Sequence, residues 1–260
     1  MFRSFASRPA FASAFVLAFL TAGIQLLAVQ AAYSLGGLLL PLPVKFASVL
    51  HSRADVATIS RIVLENGDVV ETRSVSGAQA ITAIDVSGGG IVVEVTCQQE
   101  SGVQVIGDPD AVRSIETDID DGQLQISGSS WHSGKRGVIV KVGVGTLDNI
   151  QISGANTVKV VRLLANHLDI EMSGACMLDI SGKAKKLTIE ASGACIVNAK
   201  DLIAEKIVVE ADGASKIIVN AEKQLCASVS GVSKVVYYGE PKNVNKDVCG
   251  MGRVVQQTSK

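Results

Sequence analysis

The sequence predicts an all-β protein, a right-handed parallel β-helix (β-solenoid) with coils of about 19–20 residues, preceded by an N-terminal hydrophobic helix. Three observations carry this. Ser153-Gly154, Ser173-Gly174, Ser192-Gly193, Asp212-Gly213, Ser230-Gly231 and Cys249-Gly250 recur with glycine spacings of 20, 19, 20, 18 and 19. The segments between them alternate apolar and polar residues, the period of a half-buried strand. The 260 residues are 47% hydrophobic yet hold 25 Gly against 6 Phe, 3 Tyr and 1 Trp, which suits a narrow aliphatic core better than a thick one.

At the N-terminus, Arg3, Arg8, Lys45 and Arg53 are the only charged residues before Asp55. The first 54 residues therefore carry +4 and the remainder −5, against a total of −1. The uncharged run Pro9 to Val44 contains an apolar stretch, Phe11 to Ala32, long enough for a membrane span of ~20 residues. Residues 1–32 read as a secretory signal cut near Val29-Gln30-Ala31, as a retained membrane anchor, or as an organelle presequence. Residues 33–60, with Leu35-Gly36-Gly37-Leu38-Leu39-Leu40 ahead of Pro41 and Pro43, read as a linker.

Residues 61–80 follow as a hairpin and N-terminal cap. Ile62-Val63-Leu64-Glu65 and Asp68-Val69-Val70-Glu71 flank Asn66-Gly67, a strong short hairpin signal. A stack of strands needs its first edge covered, because an open edge templates aggregation.

Residues 81–257 form the repeat domain. Each unit has two alternating segments around a Gly corner, such as Leu168-Asp169-Ile170-Glu171-Met172 before it and Met177-Leu178-Asp179-Ile180 after it. A chain turning sharply between stacked strands favours a residue that takes positive φ without a Cβ. Hence Gly154, Gly174, Gly193, Gly213, Gly231 and Gly250 are structural corners. One unit cannot bury its inward face alone, so units must stack. Ile150, Ile170, Ile189, Val209 and Ala227 then make one inward column, and Val158, Leu178, Val197, Ile217 and Val235 another.

The Ser-Gly-Ala ladder, followed by Val235-Val236-Tyr237-Tyr238-Gly239-Glu240-Pro241 and a last corner at Cys249-Gly250-Met251-Gly252, resembles the family known as putative auto-transporter adhesin, head GIN domain. The resemblance covers roughly residues 81–257. It implies a right-handed β-helical domain, found largely on exported bacterial proteins, with no established catalytic activity. The sequence departs from the family pattern at Cys176, Cys195 and Cys249, where the family usually has Ser or another small residue.

Four sets of residues are candidates for function. Cys176 and Cys195 hold one position on adjacent coils, within reach of a disulfide by Cα spacing but with parallel Cβ vectors. The plainer reading is a ladder of small buried residues with Asn156, Ser215 and Ser233. Glu171, Glu190 and Glu210 share an outward register, as a hard-cation site or, more simply, a solvated acidic stripe. Trp131 and His132 lie in a polar loop, Ser129 to Gly137, that interrupts the repeat. Outward Thr157, Met177, Ile196, Lys216 and Lys234 form a mixed stripe whose apolar middle, Met177 and Ile196, is the most suggestive interaction face.

The expected function is non-catalytic: an exported or membrane-tethered solenoid for adhesion, scaffolding or assembly, with a protein or surface-glycan partner and possible self-association. A near-neutral charge leaves no footprint for nucleic acid. No His-Glu-x-x-His, paired-Cys, Gly-x-Ser-x-Gly or P-loop pattern occurs, so no cofactor or metal is expected. The alternative is a carbohydrate-active β-helix enzyme or polysaccharide-binding module, a reading that the 4% aromatic content weakens. The expected location is secreted or membrane-anchored outside the cytoplasm, with a mitochondrion or other organelle as alternative.

Overall fold

A computed structural model describes residues 45–46, 52–53, 56–75, 80–129 and 137–258. The N-terminal helix, signal or anchor of residues 1–32 and the Trp131 loop lie outside these residues. Among the described residues no helix is long and apolar enough to cross a membrane. The architecture is all-β, with one short helix among the described residues.

The chain opens with two short strands, β1 (Lys45–Phe46) and β2 (Ser52–Arg53), which pair antiparallel with β3 (Val56–Val63). β3 and β4 (Val69–Val75) form an antiparallel hairpin. Gly67 sits in its turn at φ +84°, and the Asn66 side chain accepts from the Asp68 N–H, a local bond that favours the turn.

β5 (Ala83–Cys97) is a long strand alternating buried and outward residues. The chain then leaves it through β6 (Gly102–Gly107), helix α1 (Pro109–Arg113) and β7 (Ile115–Asp120). It returns as β8 (Gln123–Ser129) and β9 (Val138–Val144), which pair parallel with the two halves of β5. Only then does β10 (Asn149–Gly174) pair with the opposite edge of β5. β5 is therefore sandwiched between strands that both follow it in sequence, and the stacking order is not the chain order.

From β10 onward the order is sequential: β11 (Met177–Gly193), β12 (Ile196–Ala211) and β13 (Lys216–Val229) pair parallel one after another. β14 (Lys234–Tyr238) and β15 (Asn243–Val248) both pair with β13, and β16 (Arg253–Gln256) pairs with β14. Thr157, Met177, Ile196, Lys216, Lys234 and Arg253 are successive Cα partners, so the rungs advance by 20, 19, 20, 18 and 19 residues. These are the corner-glycine spacings.

The core follows from that register. Val105, Val140, Val93, Val158, Leu178, Val197, Ile217 and Val235 are Cα partners on eight successive rungs, and all are fully buried. Burying each such side chain is worth roughly 1.5–3 kcal/mol. Ile170, Ile189, Val209 and Ala227 form a second buried column.

The first rungs are closed by antiparallel strands, β7 on β8 and β6 on β9, with β4 on β6. Buried Arg73 of β4 ties this cap together. Its guanidinium donates to the carbonyls of Ile115 (2.9 Å) and Val112 (3.3 Å), to Thr117 Oγ1 (3.0 Å) and to Glu71 (2.9 Å). At the other end the stack stops on a polar rung. Lys246 occupies the inward column above Ala227, with its ammonium 5.0 Å from the Tyr237 ring centre and 3.4 Å from the Val254 carbonyl. A charge placed inward at an edge strand discourages further strand addition.

Candidate interaction face

On β11, Leu178 and Ile180 point inward, so Met177 and Asp179 must point outward. Cα register, parallel from β9 to β16 and antiparallel between β6 and β9, repeats this on successive rungs and draws two columns on the outer face. The first runs, in spatial order, Ile106, Ile139, Val92, Thr157, Met177 and Ile196, then Lys216, Lys234 and Arg253. Beside it run Gln104, Lys141, Glu94, Lys159, Asp179 and Asn198. Met177 is 46% and Ile196 41% exposed. Lys141 and Glu94 lie 3.9 Å apart, and the Asn198 amide donates to Asp179 (3.2 Å).

The structure thus places Met177 and Ile196 as lateral neighbours on adjacent rungs and extends their column through Val92, Ile139 and Ile106. Sequence reasoning missed those three. They come from strands outside the regular repeat, and no spacing signals that β9 and β6 stack below β5.

The six corner glycines have φ between +68° and +94°. At each corner from Gly174 onward, the N–H of the following residue bonds to the glycine carbonyl below: Ala175 to Gly154, Ala194 to Gly174 and Ala214 to Gly193, each at 2.8 Å. Just inside the corner, Asn156, Cys176, Cys195, Ser215 and Ser233 are buried on successive rungs. Each of the first four donates to the carbonyl three residues back: Asn156 to Ser153 (2.8 Å), Cys176 to Ser173 (3.2 Å), Cys195 to Ser192 (3.3 Å) and Ser215 to Asp212 (3.3 Å). Cys176 and Cys195 are free thiols in this ladder. Burial, the larger influence, pushes both thiols up from their ordinary range, against opposing backbone hydrogen bonds. A buried, protonated thiol is a poor nucleophile.

Glu171, Glu190 and Glu210 are Cα partners and exposed. With Asp85 and Gln151 on one wall and Ser153, Ser173, Ser192, Asp212 and Ser230 on the other, they line an open groove of about 580 Å³. Asp212 takes the corner serine's place. Its carboxylate is held below the usual range by the Ser230 hydroxyl (2.5 Å) and then by the Gly213 N–H (2.7 Å). Among the described residues no group of three or more His, Cys, Asp or Glu is arranged to hold a metal ion.

A family model described as putative auto-transporter adhesin, head GIN domain, matches residues 80–241. Among solved structures, a putative adhesin from Bacteroides fragilis is similar with a TM-score of 0.57 and 21% identity, over 72% of this chain and 97% of that one, a likeness of fold. A putative adhesin from Parabacteroides distasonis has a TM-score of 0.41 and 19% identity over 72% and 97% of the two chains. A putative lipid binding protein from the same species has 0.40 and 17% over 72% and 96%. No curated protein matches the chain. With more than half of its length matched, the chain belongs to the putative auto-transporter adhesin, head GIN domain family.

Proposed function

We propose that the chain is a non-catalytic β-solenoid, a right-handed parallel β-helix, that acts outside the cytoplasm as an adhesion or scaffold module. The parallel register at offsets of 18 to 20 residues supports the solenoid. The adhesin names of the family and of a neighbour support the role and a surface location. Residues 1–32 would supply the export signal or the membrane tether, and Trp131 a further contact.

The observation that carries the binding role is the exposed apolar pair Met177 and Ile196, neighbours on adjacent rungs of the outer face. A backbone held on hydrogen-bonded rungs has little further freedom to lose when a partner docks, and repeated weak contacts along one face gain from one another. The groove beside Glu190 carries the alternative of polysaccharide binding, but among the described residues its lining has no aromatic platform for a sugar ring.

The test is a solid-phase adhesion assay of the full chain against a panel of surface proteins, polysaccharides and the chain itself. Met177→Lys with Ile196→Lys should abolish binding while circular dichroism and Tm stay unchanged. Binding that survives the double substitution, or the absence of binding to every surface, overturns the reading.

A further inference from the structure

We propose that the partner of this face is a second copy of the chain, packed face to face with its stack reversed. The proposal rests on the interaction reading above and identifies its partner.

The two outward columns are complementary to their own reverse. Consider a two-fold axis lying along the strands, between the rung of β5 and the rung of β10. Rotation about it preserves strand direction, turns the outer faces toward each other and reverses rung order. Each column then meets its own copy in reverse: β5 faces β10 of the second copy, β9 faces β11 and β6 faces β12.

In the polar column the order Gln104, Lys141, Glu94, Lys159, Asp179, Asn198 is neutral, plus, minus, plus, minus, neutral. Its reverse is its own complement. Lys141 meets Asp179 of the second copy, Glu94 meets Lys159, and Gln104 meets Asn198. Each contact occurs twice, giving four pairs of opposite sign and two amide pairs with no like charges opposed. The apolar column obeys the same reversal: Ile106 opposes Ile196, Ile139 opposes Met177, and Val92 opposes Thr157. Beyond these six rungs the same reversal sets β13 against β4 and β14 against β3, so that Lys216 and Lys234 oppose the uncharged Val70 and Ile62.

The charges also select against slipped arrangements. A shift of one rung puts Glu94 against Glu94 and Lys141 against Lys159, or Lys159 against Lys159 and Glu94 against Asp179. Like charges brought together in this way penalise the wrong register more than any single rim pair stabilises the right one. Across the interface the four central rungs meet with parallel strands, as in aligned sheet packing at ~10 Å, while β6, antiparallel to its neighbour β9, meets β12 with opposite direction.

Size sets the strength. Six rungs at ~4.8 Å extend about 24 Å between the outermost strands, and the two columns are about 7 Å apart. Such a footprint falls below the ~800 Å² per partner of a standard stable interface, so the pair is weak and forms where copies are concentrated. Reversed stacks are also the arrangement in which copies presented by two facing surfaces would meet.

The test is sedimentation velocity on the full chain across a wide concentration range, from ~1 μM to ~1 mM, where weak pairs associate. The expected result is a concentration-dependent dimer. Lys141→Asp alone sets a new carboxylate against Asp179 of the second copy, and Asp179→Lys alone sets a new ammonium against its Lys141. Each should weaken the dimer at least ~10-fold. When the two variants are mixed, one chain presents carboxylates at both positions and the other presents ammonium groups at both, so every contact regains opposite signs. A heterodimer within ~3-fold of the wild-type affinity should return. This rescue shows that both variants are folded. A chain monomeric throughout, a dimer indifferent to either reversal, or variants that mixing does not rescue would each overturn the proposal. A monomeric chain that still binds a foreign surface through Met177 and Ile196 refutes the second copy alone; binding to nothing refutes both readings.

Discussion

Gly193 lies directly above Gly174, its Cα partner on the preceding rung, and a Cβ built on Gly193 would come 2.5 Å from the Gly174 carbonyl oxygen. Glycine is needed there for two separable reasons, a φ of +93° and the close backbone approach. Gly67 has only the first: its φ is +84°, but nothing lies within 4 Å of an added Cβ. Gly193→Ala should therefore cost at least ~2 kcal/mol and lower Tm by roughly 4–8 °C. Gly67→Ala should cost about 1 kcal/mol. Gly102→Ala, with open space and no positive φ, should stay within ~0.5 kcal/mol of wild type. Thermal melts of the three variants check this ranking.

Ser215 links three rungs. Its hydroxyl accepts from the Cys195 N–H (3.3 Å) and lies 3.3 Å from the Gly193 and Asp212 carbonyls, while its own N–H donates to Ser233 Oγ (3.1 Å). Ser215→Val removes the acceptor from a buried N–H and should cost ~1–3 kcal/mol. Ser215→Cys should cost less than ~1 kcal/mol, because thiols already serve at Cys176 and Cys195. Urea unfolding would show a lower midpoint for the valine variant at unchanged slope.

The regular part of the stack was legible because one physical constraint recurs. A corner glycine appears wherever two backbones cross closely, so its spacing is the rung offset, and alternation around it separates the Val158 column from the Met177 column. The lower rungs resisted the same reading. Gly88 pairs with Gly128, and a Cβ on Gly154 would meet the Gly88 carbonyl, so the corners stack as 128, 88, 154 although they occur as 88, 128, 154. Both edges of β5 offer the same hydrogen-bonding ladder, and nothing local says which segment takes which. The outer face was half visible for this reason: Met177 and Ile196 could be aligned by register, whereas Ile139, Lys141 and Glu94 needed the true stacking order.

Arg73 was likewise beyond sequence reasoning, since its partners in the cap lie some forty residues away. The Arg73 and Glu71 side chains are 10% and 14% exposed, so their ion pair is largely removed from water. Arg73→Met strands Glu71 and leaves the Val112 and Ile115 carbonyls without this donor, at a cost of roughly 3–5 kcal/mol. Glu71→Gln with Arg73→Met should cost clearly less than the sum of the single changes, because the second substitution removes the stranded charge. A double-mutant cycle by chemical denaturation measures that coupling. Hydrogen exchange should show the loss concentrated in α1 and β7 rather than in β11 to β13.

Cys97 gives the fold a limit at alkaline pH. Burial pushes its thiol from 9.0 up to about 11, and burial raises Cys176 and Cys195 as well. A raised folded-state value means that the native protein holds the proton where the unfolded chain has released it. Stability is therefore full below pH 9 and falls as pH rises from there toward 11. For Cys97 alone the loss amounts to roughly 2 kcal/mol by about pH 11. Lysine and tyrosine titrate in the same range, so the useful quantity is the difference between wild type and Cys97→Val. The variant's stability, measured by urea unfolding at pH 8, 9, 10 and 11, should decline less steeply than that of wild type. Curves that stay parallel throughout would show that Cys97 ionises with an ordinary thiol value.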